Sequence, residues 1–144
     1  FADELYREVY EMYNAPPETP KEEFKLNSYD VDGVPTLGRQ LLQAYGKKRR
    51  SEDVNYWVKK FFNHYRSFDG ILFITDVRFK NELEAILNED SEADAVFCDY
   101  EGNKKPFINH ESEALAQHLR RHLKDQEIRK VKSILHILKN YKDA

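Results

Sequence analysis

Apolar residues in the first part of the chain recur at helical spacing and then stop. Leu5, Val9 and Met12 follow one another at steps of four and three, which predicts a helix over residues 2–13. Residues 14–34 break this pattern with three prolines, several acids and an Asp-Gly pair. Long segments of this kind in compact domains are often functional. We therefore expect an ordered loop or a lid-like excursion at residues 14–34.

Two further helices are predicted before residue 70. Pro35-Thr36 is a typical opening and Gly46 a typical ending, which gives a helix over about residues 36–45. A basic run at residues 47–50 separates it from a third helix over about residues 51–66. The third helix carries an apolar stripe that we expect to be core, and its members are Val54, Trp57, Val58, Phe61, Phe62 and Tyr65.

The second half alternates short apolar runs with helical patterns. Residues 71–75 and 93–99 are predicted strands, each followed by a helix, over about residues 79–89 and 111–124. A last amphipathic helix is expected at residues 125–142. This alternation is typical of an α/β domain with a parallel sheet, here a single domain over residues 1–144. Two strands cannot form a doubly covered sheet, so we expect at least one more strand upstream of Phe1.

Composition and charge exclude several classes of protein. No apolar run approaches the roughly 18 residues that a membrane helix needs, and no signal peptide is visible. Cys98 is the single cysteine, so a disulfide framework is excluded; it lies in an apolar run, which predicts a buried thiol and a reducing cytoplasm. The net charge of −3 and the pI near 6.0 argue against nucleic acid as a partner, although the last helix is basic.

Polar chemistry is concentrated directly after the strand at 71–75. Asp76 and Arg78 follow an apolar run that has no need of either side chain. Ligands of open α/β sheets lie beyond the carboxyl ends of the strands. The pattern therefore predicts a charged ligand near Asp76 and Arg78. The alternative interpretations are a helix N-cap for Asp76 and an ion pair with Glu82, one turn further on, for Arg78.

Four segments of the chain, in order, resemble one family. They are residues 1–5 (Phe-Ala-Asp-Glu-Leu), residues 36–46 (Thr-Leu-Gly-Arg-Gln-Leu-Leu-Gln-Ala-Tyr-Gly), residues 76–82 (Asp-Val-Arg-Phe-Lys-Asn-Glu) and residues 110–113 (His-Glu-Ser-Glu). Arg50 and Trp57 follow the second segment at nearly the family spacing. The set resembles the phage-type deoxynucleoside monophosphate kinases, members of the P-loop kinase superfamily.

The resemblance implies a fold and a reaction. The fold would be a P-loop kinase-like three-layer parallel sheet flanked by helices, and the reaction ATP + dNMP to ADP + dNDP with Mg²⁺. The Gly-rich loop for ATP is absent from these residues, because Gly46-Lys47 follows a helix and has no glycine five residues before it. Either that loop lies upstream of Phe1, or the chain is a degenerate relative, an inactive nucleotide-binding or protein-interaction module.

The resemblance also implies roles for individual residues. Asp76 would be catalytic and act on the Mg²⁺ shell, and Arg78 would be catalytic and clamp the acceptor phosphate, which a guanidinium fork does well. The other residues implied at the acceptor nucleotide are Asp3, Arg39, Gln43, Arg50, His110 and Glu113. Solvated helix faces, charge runs and helix capping are the alternatives for these.

The remaining polar and aromatic residues are given structural roles. Trp57 is expected in the core, while Asn81 and Glu82 would support or cap the following helix. Tyr6, Tyr10 and Tyr13 could stack on a base, but helix packing is the preferred interpretation. The partner implied is a deoxynucleoside monophosphate in a bacterial or phage-infected cytoplasm, with no membrane; a homodimer stays open.

Overall fold

The computed structural model describes residues 1–98 and 111–142. These residues form two compact units, Phe1–Asp76 and Val77–Ala144. The elements of the first unit are α1 (Ala2–Met12), α2 (Lys21–Leu26), β1 (Ser28–Val31), β2 (Val34–Leu37), α3 (Gly38–Glu52) and α4 (Tyr56–Tyr65). Those of the second are α5 (Lys80–Glu89), β3 (Asp94–Val96), α6 (Glu111–Leu119), β4 (Ile128–Lys130) and α7 (Val131–Ile137). The prediction of a single domain stays a prediction.

The first unit is built on α1, whose predicted apolar residues are only partly buried, since Met12 is 52% exposed. Val9 is fully buried and Tyr10 is 7% exposed, so the face that carries them is the core face. Phe24 of α2 is also fully buried and lies against Tyr10, with 4.5 Å between the ring centroids. Leu41 and Leu42 of α3 complete this cluster.

Residues 14–34 are more regular than predicted. They contain α2 and the start of a β-hairpin, in which Val31 pairs with Val34 and Ser28 with Leu37. The turn residues Asp32 and Gly33 both have positive φ, 52° and 82°, which is the requirement of a type I′ hairpin turn. An Asp-Gly pair between β-branched residues signals such a hairpin, and the expectation of a loop or lid was wrong for this part.

The second helix, α3, is longer than predicted. It begins at Gly38 and continues through the basic run to Glu52, so Gly46 lies inside it and does not end it. Glycine suits this helical position because an added Cβ would lie only 3.3 Å from Cδ2 of Leu5, which is a tight contact. At Gly38 a Cβ would meet the carbonyl oxygen of Phe24 at 1.9 Å, so the close packing of α2 against α3 requires glycine.

The apolar stripe of α4 is confirmed at its centre. Trp57, Val58, Phe61 and Phe62 are all buried, although the helix begins at Tyr56 and Val54 is 49% exposed. The Trp57 indole donates a hydrogen bond of 3.4 Å to the carbonyl oxygen of Gly46.

The predicted strand at 71–75 does not form. Ile71 is 80% exposed and Phe73 is 82% exposed, and residues 71–76 make no backbone–backbone hydrogen bond to another described residue. A strand exists only through pairing, and none of the described segments pairs with this one. The apolar run was correctly identified, but the interpretation as a buried parallel strand was wrong.

The second unit keeps its helices but changes its strands. α5 is confirmed, with Leu83 buried. β3 lies within the predicted strand 93–99, and it pairs antiparallel with β4 in the register Ala95 to Arg129. α6 ends at Leu119, earlier than the predicted end at about residue 124. The segment predicted as a helix over residues 125–142 begins with β4 and continues as α7, which ends at Ile137. The apolar spacing of the predicted last helix includes Val131 and Ile134, which are buried, but also Ile128, which is 69% exposed, and it did not show where extended chain gives way to helix.

The described residues therefore form a mixed structure of helices and two small antiparallel sheets. The parallel sheet that was expected is not seen among them. Cys98 is exposed, so the prediction of a buried thiol was also wrong. Across the described ranges, no helix combines the length and apolar character that crossing a membrane requires.

Candidate functional site

Asp76 lies at the beginning of α1. Its two carboxylate oxygens lie 3.0 and 3.1 Å from the backbone nitrogen of Phe1, and the carboxylate also accepts a hydrogen bond from the N–H of Ala2. A negative charge is favourable at this end of a helix. The sequence offered Asp76 as a cap for the helix that follows it. In the structure Asp76 caps α1 instead, through the N–H of Ala2, which lies 74 residues earlier in the chain. The first and third of the family-like segments thus meet at this carboxylate.

The first and second family-like segments meet as well. Leu5 packs on Gly46, and the Gly46 carbonyl receives the indole N–H of Trp57, which is 6% exposed. Phe1 is 5% exposed and lies against Phe61, at 4.7 Å between ring centroids. Several residues on which the resemblance depends are therefore packing residues that join α1, α3 and α4.

Asp3 stands at the edge of a groove on α1. It forms an ion pair with Lys21, and that hydrogen bond lowers the pKa of Asp3 against the opposing effect of partial burial. The groove has a volume of about 470 Å³ and is lined by Asp3, Tyr6, Arg7, Tyr10, Glu11, Ala15, Pro17, Thr19 and Lys21. Tyr6 and Tyr10 pack on Phe24 at its base, so helix packing accounts for both rings.

Arg39 and Gln43 are one turn apart on α3 and both are exposed. Neither side chain is engaged in an ion pair or hydrogen bond within the ranges 1–98 and 111–142. Arg50 follows three turns after Arg39 on the same side of the helix and is half-buried. This face presents cations and an amide, which are the groups that bind a phosphate and a base edge.

A polar cluster that sequence reasoning missed joins α1, α3 and α4. Glu8 accepts hydrogen bonds from the hydroxyls of Tyr45 at 2.9 Å and Tyr56 at 2.8 Å, and from the ammonium of Lys60. Burial opposes the ionisation of Glu8, but these three donors together outweigh it and lower its pKa. The pKa of Tyr56 is raised mainly by burial and further by its hydrogen bond to Glu8. The pKa of Lys60 is raised mainly by its hydrogen bond to Glu8.

The cluster extends to the basic run of α3. Arg49 donates to the Tyr45 hydroxyl at 3.0 Å and to Glu52 at 3.0 Å, and its guanidinium lies 5.0 Å from the centre of the Tyr56 ring. The spacing of Tyr45 and Arg49, one helical turn, was visible in the sequence. The cluster fixes the last turns of α3, which carry residues 47–50.

A second missed cluster surrounds Glu4, whose side chain is 5% exposed. Its carboxylate accepts hydrogen bonds of 3.0 and 2.9 Å from Arg7, and His64 Nδ1 lies 3.3 Å away. Arg7 also lies 2.9 Å from His64 Nδ1, and because a guanidinium can only donate, that nitrogen accepts. This arrangement neutralises a buried carboxylate and holds α1 against α4.

Arg78 and Glu113 are brought together in the second unit. A guanidinium nitrogen of Arg78 lies 3.2 Å from a carboxylate oxygen of Glu113, and the two side chains are 50% and 36% exposed. The Glu82 carboxylate accepts the backbone N–H groups of Arg78 at 2.6 Å and Phe79 at 3.0 Å, so Glu82 caps α5. Glu82 was the alternative ion-pair partner for Arg78, but it contacts only the backbone N–H of Arg78 in these bonds, whereas the guanidinium contacts Glu113. Asn81 is half-buried on the same turn.

Other candidates lie outside this geometry. His110 falls outside the described residues. His118 and His122 lie with 5.2 Å between ring centroids, and His118 packs on Tyr141. Within the part of the chain that the structure describes, no group of three or more His, Cys, Asp or Glu residues could hold a metal ion.

Comparisons with protein-family models, with curated proteins and with solved structures find no match to this chain. The resemblance to the deoxynucleoside monophosphate kinases therefore remains a prediction from the sequence, and the contacts among its residues are what the structure adds.

Proposed function

We propose that the chain is the acceptor-binding part of a deoxynucleoside monophosphate kinase, which transfers a phosphoryl group from ATP to a dNMP in the cytoplasm. The observation that carries this proposal is the ordered set of four segments, whose residues also contact one another. Phe1 and Ala2 meet Asp76, Leu5 meets Gly46, and Arg78 meets Glu113.

The roles follow the chemistry of each side chain. Arg39 and Gln43 are proposed to bind the acceptor nucleotide, with Arg50 as a further cation. Arg78 is proposed to bind the acceptor phosphate, because a guanidinium donates two parallel hydrogen bonds to phosphate oxygens. Phosphoryl transfer depends mainly on positioning and on charge stabilisation, which such groups supply.

The residues present do not supply the ATP site. Gly46 lies inside α3 with its carbonyl bonded to Trp57, so Gly46-Lys47 is not a phosphate-binding loop. Asp76, the residue assigned to the Mg²⁺ shell, already accepts the N–H groups at the start of α1. Activity therefore requires a phosphate-binding loop outside these residues.

A second candidate is an inactive nucleotide-binding or interaction module of the same ancestry. The engagement of Asp76 at α1 favours it, because a carboxylate that caps a helix is not free to hold a metal shell. The two candidates differ in phosphoryl transfer, and both predict binding of a monophosphate.

Titration calorimetry of the 144-residue chain with the four common dNMPs, and with the matching nucleosides, tests the acceptor site. We expect at least one dNMP to bind more tightly than its nucleoside. Arg39→Gln should weaken dNMP binding roughly 10- to 100-fold, the value of a charge-assisted hydrogen bond of about 1.5–3 kcal/mol. Lys48→Gln removes the same charge from the opposite face of α3 and should change little.

Equal affinity for nucleotide and nucleoside, or equal effects of the two substitutions, would overturn the acceptor assignment. ADP release from ATP by the natural protein, measured with each dNMP, then separates the two candidates. Transfer supports the kinase, whereas binding of dNMP without transfer supports the inactive module.

A further inference from the structure

We propose that Glu113 is an internal competitor for Arg78, and that the acceptor phosphate displaces it. The carboxylate of Glu113 holds a guanidinium nitrogen of Arg78 at 3.2 Å. This inference rests on the proposed function, since it takes Arg78 as the phosphate-binding residue. It reverses the role that the resemblance implies for Glu113, from a ligand of the substrate to a group that leaves when the substrate arrives.

The geometry of the pair is that of a contact that can be exchanged. It involves a single guanidinium nitrogen, although arginine has five N–H donors in a planar fork. Both side chains are partly exposed, at 50% and 36%. Ion pairs of this kind are weak because water and salt screen them and because two long side chains must be held still. A ligand that uses two donors of the fork can therefore replace a carboxylate that uses one.

Arg78 stays in place when Glu113 leaves. Its backbone N–H is bonded to the carboxylate of Glu82, which is 5% exposed and also accepts the N–H of Phe79. The anchor of Arg78 and the competitor of Arg78 are therefore different residues on different helices. Removal of Glu113 should release the guanidinium without disturbing the start of α5.

Competition of this kind selects the ligand by its charge. A phosphomonoester carries about −1.5 to −2 at pH 7 and has three strong acceptor oxygens, whereas a carboxylate or a phosphodiester carries one negative charge. A singly charged anion brings Arg78 no more negative charge than the Glu113 carboxylate already supplies. The pair thus favours terminal phosphates, such as that of a nucleoside monophosphate, over phosphodiesters and carboxylates.

The test is an NMR titration of the 144-residue chain with inorganic phosphate and, separately, with dimethyl phosphate. The signals are the backbone N–H groups of residue 78 and Phe79, which every variant retains, recorded at about pH 7.5, where a phosphomonoester is mostly dianionic. We expect Glu113→Gln to tighten phosphate binding roughly two- to fivefold, the range of an exposed ion pair, and to admit dimethyl phosphate. Glu111→Gln is the matched control, since it removes the same charge from the same helix turn.

The outcomes separate this inference from the proposed function. If Glu113→Gln weakens phosphate binding, or changes it no more than Glu111→Gln does, Glu113 is not a competitor. If Arg78→Gln abolishes phosphate binding in that case, the proposed role of Arg78 stands and only the competition is wrong. If Arg78→Gln leaves phosphate binding unchanged, the phosphate role of Arg78 falls and the competition falls with it.

Discussion

The cores of the two units are made of different side chains. The first contains Tyr10 and Phe24, with further tyrosines packed around them. The second has seven buried members, and all of them are leucine, valine or isoleucine. A tyrosine hydroxyl in a core needs a hydrogen-bond partner, so Tyr10 donates to the carbonyl of Thr19 at 2.9 Å, while Tyr45 and Tyr56 donate to Glu8. The comparison teaches that side-chain hydrogen bonds help to define the first core, whereas the packing of aliphatic side chains dominates the second.

The largest effect should come from Phe24, the fully buried ring at the centre of the first core. Phe24→Ala should lower the free energy of unfolding of this unit by about 3–5 kcal/mol, because it removes the ring and leaves a cavity. Urea unfolding followed by the fluorescence of Trp57, the single tryptophan, measures it. Phe68→Ala, at a site that is 55% exposed, should cost no more than about 0.5 kcal/mol. Similar losses for the two variants would contradict the assignment of this core.

The polar cluster should come next. Glu8→Ala leaves the hydroxyls of Tyr45 and Tyr56 without their acceptor and should destabilise the first unit by about 1–3 kcal/mol. The same urea experiment reports the change. Glu11→Ala, on an exposed position of the same helix, is the control and should cost little. If Glu8→Ala is as mild as its control, directional bonds do not define this core.

The aliphatic core should tolerate a change of shape at constant volume. Leu138 is fully buried, and Leu138→Met should cost less than about 1.5 kcal/mol in the second unit. Amide hydrogen exchange in α7 measures this locally, because the second unit has no tryptophan. A loss as large as that of Phe24→Ala would show that shape matters equally in both cores.

The smallest effect should be the dependence of the first unit on acid. The pKa of Glu8 is lowered in the folded state, so its ionised form adds stability above the unfolded pKa of about 4.3. That contribution should be lost as the pH falls through the lower, folded pKa. Acid titration of unfolding, followed by Trp57, should show a shallower decline for Glu8→Gln than for the unchanged chain. If the stability of the two proteins declines equally with falling pH, Glu8 does not contribute to the acid sensitivity of this unit.

Sequence reasoning succeeded where one helix face carries the signal. Helical apolar spacing correctly indicated the buried Val9 of α1, the centre of the α4 stripe and Leu83 of α5, but Met12 and Val54, which share these patterns, are about half exposed. It failed where structure depends on a distant partner. The run at 71–75 has strand composition but pairs with no segment of residues 1–98 or 111–142, and the pairing of β3 with β4 joins segments more than thirty residues apart.

The candidate site shows the same division. Residue types and motif order predicted Asp76, Arg78 and Glu113 as site residues, which stays a prediction, and the structure adds the polar group that each of them contacts. Their partners were not predictable, because Phe1 and Asp76 lie 75 positions apart and Arg78 and Glu113 lie 35 apart. Glu8 was missed altogether, since its three donors come from helices whose packing no local pattern describes.

The exposed run at Ile71–Phe73 has a practical consequence for anyone who concentrates this protein. A short uncharged stretch of apolar residues whose backbone groups pair with none of the other described residues is a template for fibrillar stacking of identical chains. Asp69 and Asp76 flank the run and should oppose this stacking, since stacked copies would bring their like charges close together. Storage at low salt, where charge repulsion is screened least, should therefore keep the sample clear, and high salt should cloud it.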